Sequence, residues 1–318
     1  AHGDAFVDLT EADGALTLRL TADQTPVRYI RLRFNFTEAE KRQDSIKIFG
    51  DTYERSYGDL HWEGIVPERM MPWYLLVSNG SDRNPDCKGR YTEGFGVKVQ
   101  PNAFVTWQYD SAGLTMWADV RCGGMGVILN GRTVDVCHIV FGEYRDCSAF
   151  DAGRQFCRLM CPTSVLPDHK VYGSNNWYYA YGKSSQNEIL EDSRIVAARC
   201  DGLDNLPYMV IDDGWQKYLC DGPWDELRDT FHNMKTLASD MRKIGVRPGI
   251  WVRYLIDTHH EIKGAMPHWY LEKRPDFLDP SVPEVIEYIK KTTGMFREWG
   301  YELIKHDFSV FDFFDKWG

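Results

Sequence analysis

The feature that most constrains the fold is a regular alternation of strand-like and helix-like segments after Lys170. The strand-like segments are VYGSNNWYY from position 171, PYMVIDDGW at 207–215, RPGIWVRYL at 247–255 and YELIKHDFS at 301–309. The segments between them have helix signals: a Ser185–Glu188 capping box, Gly245 after the helix-like segment 234–244, and a Ser281–Glu284 capping box before a helix that ends at Gly300. Strands that alternate with helices predict a parallel sheet.

Four such β/α units, with charged residues at the strand ends, predict the first half of a (β/α)8 TIM barrel over residues 171–318. A whole barrel takes about 250 residues, and half a barrel leaves one flank of its sheet unpaired. We therefore expect the sequence to be part of a longer protein. A doubly wound open sheet is the alternative, because it needs no further strands.

The N-terminal part has a different periodicity. Segments such as LTLRLTA, VRYIRLRFNF and FVTWQYD alternate apolar and polar residues between about positions 15 and 141. This period of two predicts an antiparallel β-sandwich over residues 1–150. Residues 151–170 form a predicted connector, which contains a short helix at 153–160.

Composition narrows the range of partners. The net charge of −10 and the pI of about 5.4 argue against nucleic acid and against an anionic membrane, and no apolar stretch approaches the about 20 residues of a membrane span. The aromatic content of 14% suits both sugar stacking and core packing. The eight cysteines form no C-x-x-C pair, so we predict small buried thiols and neither a zinc site nor a cofactor. The opening AHGDAF shows no initiator Met and no signal peptide, so cytoplasmic and exported locations are both compatible with the sequence. A homo-oligomer is also compatible with it.

The segment YELIKHDFS ends in charged side chains. Alternation along a strand puts Lys305 and Asp307 on one side, where the ammonium stabilises the ionised carboxylate. In a β/α barrel, such strand ends form the active-site face. An ionised aspartate suits a nucleophile better than a general acid. The structural alternative is a strand-end ion pair that holds a loop.

Polar and aromatic residues also follow the other predicted strands. Asp212 and Asp213 end the second strand, and burying two adjacent acids is costly unless sugar hydroxyls, a metal or a helix cap partner them. A metal would need further donors, such as His306 or the pair His259–His260, and we predict no metal. The remaining candidates are Asn175, Asn176, Trp177, Trp215, Trp251 and Arg253. Carboxylates, amides and aromatic rings at consecutive strand ends favour a carbohydrate site.

In this order, the motifs resemble the retaining α-galactosidase clan, in particular glycoside hydrolase family 36, which is related to family 27. The resemblance rests on VIDDGWQ at 210–216, GIW at 249–251, LDPSVPEV at 278–285 and LIKHDFS at 303–309, with NNW at 175–177 in the place of the clan's first-strand aromatic. It covers residues 171–318 and, more loosely, the predicted sandwich before them.

The resemblance implies a hydrolase that releases terminal α-linked galactose from oligosaccharides or glycoconjugates by double displacement. In that reading Asp307 is the nucleophile, Lys305 stabilises its charge and binds a sugar hydroxyl, and the pair Asp212 and Asp213 holds O4 and O6 of galactose. Trp177 and Trp251 wall the implied pocket. The other implied substrate-binding residues are Asn176, Trp215 and Arg253.

The acid/base aspartate of the clan comes from a later strand, so we expect it outside this sequence, and this chain alone would then lack its proton donor. The KHDFS segment departs from the K-W-D that is common among bacterial members. This departure broadens the expected activity to an α-N-acetylgalactosaminidase or a galactosyl-transferring relative. Two hypotheses from other classes are a non-catalytic galactose-binding protein and a metal-dependent hydrolase.

Overall fold

The structure is a computed structural model that describes residues 3–37, 46–53, 61–69, 72–79, 87–121, 126, 128–272 and 274–308. The chain divides into two compact units, Ala1–Val165 and Leu166–Gly318. Within the described residues, no helix is long and apolar enough to cross a membrane.

The first unit is built from antiparallel strands. They are β1 (Phe6–Ala12), β2 (Ala15–Thr21), β3 (Tyr29–Asn35), β4 (Lys47–Thr52), β5 (Pro72–Ser78), β6 (Tyr91–Val97), β7 (Phe104–Asp110), β8 (Gly113–Asp119) and β9 (Thr133–Arg145). They form a six-stranded sheet in the order β1-β2-β9-β6-β5-β4 and a three-stranded sheet in the order β3-β8-β7.

One hydrophobic core joins these two sheets. Leu18 and Ile139 from the larger sheet and Trp107 and Met116 from the smaller sheet are fully buried in the same cluster. Each strand turns alternate side chains inward, so a period of two in the sequence becomes one apolar face per sheet. The two packed sheets agree with the predicted β-sandwich.

A helix that we predicted inside a connector belongs to the first unit. Helix α1 runs from Ala149 to Met160, four residues earlier than the predicted start at Gly153. Its Phe156 and Met160 are buried against the six-stranded sheet. A Cβ atom on Gly94 of that sheet would lie 2.5 Å from the Phe156 ring, so the strand needs glycine at this contact. Because the apolar face of α1 is buried on the six-stranded sheet, the helix is part of the first unit and not part of a connector between the two units.

The second unit contains a parallel sheet in the order β10-β11-β12-β15. Its elements are β10 (Gly173–Asn175), α2 (Trp177–Ala180), α3 (Gln186–Arg199), β11 (Tyr208–Ile211), α4 (Met234–Ile244), β12 (Arg247–Val252), β13 (Tyr270–Leu271), β14 (Arg274–Leu278), α5 (Pro283–Trp299) and β15 (Leu303–His306). The strands β13 and β14 pair separately and antiparallel.

The register of the parallel sheet aligns the ends of its strands. Asn175 pairs with Val210, Ile211 with Ile250, and Trp251 with Lys305. Because all four strands run in one direction, the residues that follow them meet at one edge of the sheet. This edge is where the charged and aromatic candidates collect.

Several predicted boundaries change in the structure. The first strand ends at Asn175, because Trp177 starts the one-turn helix α2. The predicted Ser281 cap is wrong: Val282 precedes α5, makes no side-chain cap, and is followed by Pro283, whose ring suits a first helical position. The Ser185 cap of α3 is confirmed, since its side chain accepts a hydrogen bond from the Glu188 N–H. Ser309, the last residue of the fourth predicted strand, lies outside the described residues.

Candidate active site

The carboxylate of Asp212 is buried and fully embedded in polar partners. Its Oδ2 accepts hydrogen bonds from Lys305 Nζ at 2.7 Å and from the Asn175 amide, while its backbone N–H donates to Asn176 Oδ1 at 2.7 Å. Asp212 is only 2% exposed, so these contacts replace the water that a carboxylate otherwise needs. Strands β10, β11 and β15 each supply one part of this cluster.

The carboxylate of Asp307 is more accessible and lies beside the same lysine. Lys305 Nζ is 3.5 Å from Asp307 Oδ2, and the Asp307 side chain is 35% exposed. Trp251 Nε1 donates to Oδ2 at 2.9 Å, and the Phe308 N–H donates to Oδ1 at 2.9 Å. Lys305 and Asp307 therefore lie together, as the strand alternation predicts. Two hydrogen bonds and the nearby ammonium stabilise negative charge on Asp307.

Lys305 joins the two carboxylates, and replacing it with methionine should destabilise the second unit. We expect the free energy of unfolding to fall by about 1–3 kcal/mol, because Asp212, whose side chain is 3% exposed, loses its cation. Lys290→Met is the matched control, since the Lys290–Glu287 pair is exposed at 66% and 70% and contributes less than about 1 kcal/mol. Urea unfolding curves of both variants make the comparison, and equal losses would contradict the buried role of Lys305.

Asp213 is adjacent in sequence but faces a different set of partners. Its Oδ1 accepts from Gln216 Nε2 at 2.6 Å and from the Cys220 N–H at 2.9 Å. Its Oδ2 accepts from the same N–H at 3.0 Å and from Cys220 Sγ at 2.8 Å. At 2% exposure, this carboxylate binds the loop that follows β11.

Two tryptophans predicted as sugar contacts have different places. Trp251 is 1% exposed, and its indole N–H reaches Asp307 while its carbonyl accepts from Trp215 Nε1 at 3.0 Å. Trp215 is 0% exposed and packs edge-on against Phe296 and Trp299. Gly214, with φ of 109°, turns the chain after β11 so that the Trp215 ring enters the core. The burial of both rings therefore does not agree with the predicted sugar contact of Trp215 or with the predicted pocket wall at Trp251.

Trp177 and Arg253 lie at the rim of the strand ends. Trp177 is partly exposed at the start of α2, and its backbone N–H donates to Asn175 Oδ1 at 2.9 Å. The Arg253 guanidinium is half-buried and stacks 4.6 Å from the centre of the Phe308 ring. Asn175 therefore bonds both to the Asp212 carboxylate and to the backbone of Trp177 at the start of α2. Arg253 packs on Phe308, the residue after Asp307.

Sequence reasoning missed Cys220 and Gln216. Gln216 ends the VIDDGWQ motif, whose pattern gives it no role, and the cysteine spacing predicts Cys220 only as a small buried thiol. Burial and the hydrogen bond to Asp213 raise the pKa of the Cys220 thiol to about 12, so it is a neutral donor at physiological pH. Cys220 lies seven positions after Asp213, and no sequence pattern at that spacing predicts a hydrogen bond between them.

The histidines that could bind a metal, His306 and His259, contact different partners. The His306 ring packs on Tyr254, and His259 Nδ1 lies 2.7 Å from Asp221 Oδ2. Across the part of the chain that the structure describes, no group of three or more His, Cys, Asp or Glu side chains is arranged to hold a metal ion.

Solved structures of similar fold include α-galactosidases. The enzyme from Thermus thermophilus in complex with p-nitrophenyl α-D-galactopyranoside aligns with a TM-score of 0.55 and 19% identity over 95% of this chain and 61% of its own. A family 36 α-galactosidase from Geobacillus stearothermophilus in complex with stachyose gives 0.57 and 14% over 95% and 46%. The galactosidase domain of an α-galactosidase–sucrose kinase gives 0.57 and 14% over 96% and 47%.

This chain has the fold of family 36 α-galactosidases. The resemblance read from its motifs is thus confirmed at the level of the fold, at identities of 14–19%. The chain spans roughly half to three fifths of the length of these enzymes, from 46% to 61%. No protein-family model and no curated protein sequence matches it.

Proposed function

We propose that this chain carries the nucleophile side of the active site of a retaining glycoside hydrolase that releases terminal α-linked galactose. The observation that carries the proposal is the arrangement of Lys305 between buried Asp212 and accessible Asp307 at the ends of parallel strands. The fold shared with α-galactosidases supports it. We also propose that the parallel sheet of the second unit is the first half of a (β/α)8 barrel, whose active sites lie at this edge.

In the proposed reaction, Asp307 attacks the anomeric carbon of the galactoside. A carboxylate oxygen forms the new bond to carbon while the bond to the leaving oxygen breaks, and that oxygen takes a proton from a second carboxyl group. Water then attacks the glycosyl-enzyme, gives its proton to the same group and releases galactose with its original anomeric configuration. No described residue is assigned the proton-donor role, which requires a carboxyl about 5 Å away from the nucleophile.

The surrounding residues orient the Asp307 carboxylate and bind the sugar. Trp251 and the Phe308 N–H hold the Asp307 carboxylate by hydrogen bonds that orient it for attack. Lys305, with a side chain 38% exposed, retains donor capacity for a sugar hydroxyl. Asp212 offers the remaining acceptor position of its Oδ1, which also accepts from the Asp213 N–H, to one galactose hydroxyl. Trp177 offers a partly exposed ring as the wall of the pocket. Arg253 completes the proposed binding set. Asn176, by contrast, is 1% exposed and accepts from the Asp212 N–H, so it supports Asp212 instead of contacting the sugar.

The test is hydrolysis of p-nitrophenyl α-galactoside by the protein that contains this chain, with proton NMR of the first product. We expect α-galactose to appear before mutarotation, and the p-nitrophenyl α-glucoside to be a much poorer substrate. β-Galactose as first product would contradict the retaining mechanism. Galactose binding without turnover would instead favour a binding protein over an enzyme.

A further inference from the structure

The second unit contains a cavity of about 480 Å³ beside helix α5, which we call the α5 cavity. Its floor is apolar and comes from two loops and one face of the helix: Pro223, Trp224, Ile262, Tyr288 and Met295. Ligand pockets of proteins commonly have volumes of roughly 300–1,000 Å³, an apolar floor and a few polar groups. None of the lining residues takes part in the contacts that surround Asp212 and Asp307. The α5 cavity therefore has the size and the floor of a ligand pocket outside the candidate active site.

The indole N–H of Trp224 is buried at this floor without an acceptor. Trp224 is 1% exposed, and its Nε1 has no hydrogen-bond partner among the described residues. A Cβ on Gly222 would lie 3.5 Å from this Nε1 and 3.7 Å from the Ile262 side chain, so the polar edge of the indole lies close to another lining residue. Because an unpaired buried donor is costly, a ligand oxygen that accepts from Trp224 would be stabilising here.

Gly294 leaves open space on the α5 side of the cavity. It lies inside a 17-residue helix, where glycine is a weaker helix former than alanine. A Cβ on Gly294 would meet no atom within 4 Å, whereas a Cβ on Gly94 would lie 2.5 Å from the Phe156 ring. Packing among the described residues thus explains the glycine at position 94 and not the one at 294. Room for a ligand beside the helix backbone does explain it.

The rim of the cavity carries charges of both signs. Lys263 Nζ lies 3.1 Å from Asp225 Oδ2, and this pair joins the two loops that form the floor. Lys291 and Glu298 come from α5 and are exposed, and neither makes an ion pair with another described residue. Two cations and two anions balance, so the rim favours a neutral ligand. Hydroxyl groups both donate and accept, and the C–H faces of a sugar ring suit an apolar floor.

We propose that the α5 cavity is a second carbohydrate-binding site, which takes a neutral mono- or disaccharide unit. The sugar ring lies on Tyr288 and Met295, and its hydroxyls bond with the Trp224 N–H, Lys291 and Glu298. The site goes beyond the proposed function and does not depend on it, because its residues take no part in the proposed reaction. An enzyme and a non-catalytic binding protein could both use it.

The first test is hydrogen–deuterium exchange of the protein that contains this chain, titrated with galactose, sucrose or maltose. Peptides that cover residues 222–228, 260–266 and 286–298 should exchange more slowly with at least one sugar, in a saturable manner, because a bound ligand stabilises the segments it contacts. Gly294→Leu fills the open space with a better helix former, so the protein should fold while this protection is lost. Lys290→Leu, at an exposed position of α5 outside the cavity lining, is the control and should keep the protection. Protection that persists in Gly294→Leu, or that no sugar produces, would overturn the site.

The second test distinguishes a sugar from an anion. Lys291→Met removes a donor and Glu298→Ala removes an acceptor, so each should weaken sugar binding by about threefold to tenfold in the same titration. Inorganic phosphate is the comparison probe, since an anion would bind less well to Lys291→Met and better to Glu298→Ala. Opposite effects of the two variants on sugar binding, or phosphate that protects the cavity peptides more than any sugar does, would overturn the assignment to carbohydrate.

Discussion

Asp307→Gly should reduce hydrolysis of p-nitrophenyl α-galactoside by at least about a thousandfold, because it removes the atom that forms the covalent intermediate. The loss should appear in kcat and in kcat/KM alike, since Asp307 bonds to the anomeric carbon only after binding. The contact between Lys305 and Asp212 does not involve Asp307, so the fold and galactose affinity should persist in this variant. Steady-state kinetics and calorimetric titration with galactose measure the two effects.

Azide rescue distinguishes a nucleophile from a residue that only supports the pocket. The space left by the Asp307 carboxylate admits azide, which should restore cleavage of the activated substrate and yield β-galactosyl azide. Asp201→Gly is the matched control at an exposed carboxylate and should keep wild-type turnover without any effect of azide. Full activity of Asp307→Gly would exclude Asp307 as the nucleophile.

Trp215→Ala should lower the free energy of unfolding of the second unit by about 3–5 kcal/mol, because it empties the volume of a fully buried indole. The indole N–H of Trp215 also donates to the backbone carbonyl of Trp251. Its loss removes a hydrogen bond from this buried carbonyl, in the same residue whose side chain donates to Asp307. Hydrogen–deuterium exchange of peptides from α3 and α4 reports opening of this unit separately from the first one.

Trp177→Ala is the matched control for the size of the side chain. Trp177 is partly exposed on a one-turn helix, so its removal should cost less than about 1 kcal/mol of stability. It should instead weaken galactose binding, because the ring is the proposed wall of the pocket. The opposite result, a stable Trp215→Ala with impaired binding, would restore Trp215 as a sugar contact.

The pairing of Lys305 with Asp307 could be predicted because it depends on strand geometry alone. Side chains two residues apart on a strand point to the same face, whatever lies next to them. The identity of the third member of the cluster depends on register: β15 pairs with β12 so that Lys305 lies opposite Trp251, and Asp212 comes from 93 positions earlier. No local pattern encodes such a distance.

The different hydrogen-bond partners of Asp212 and Asp213 show the same limit. The sequence offers no pattern that distinguishes two adjacent acids at a strand end, and the family resemblance implies sugar contacts for both. The turn at Gly214 and the left-handed residue Cys220 bring the loop back onto Asp213, whereas the neighbouring strands bring Asn175 and Lys305 to Asp212. The same turn directs the Trp215 ring into the core, so the sugar contact predicted for Trp215 is not formed.

By itself, the sequence determined the features that arise from neighbouring residues: the antiparallel strands of the first unit, the alternation of strands and helices after Lys170, and the charged ends of those strands. Periods of 2 and 3.6 residues and capping signals are local, so a linear pattern carries them. Only the tertiary structure decided that α1 packs on the first unit, that Lys305 joins Asp212 to Asp307, and that Asp213 closes on Cys220. These outcomes depend on which distant side chains fill each buried site, because burial requires every charge and polar group to find a partner in three dimensions.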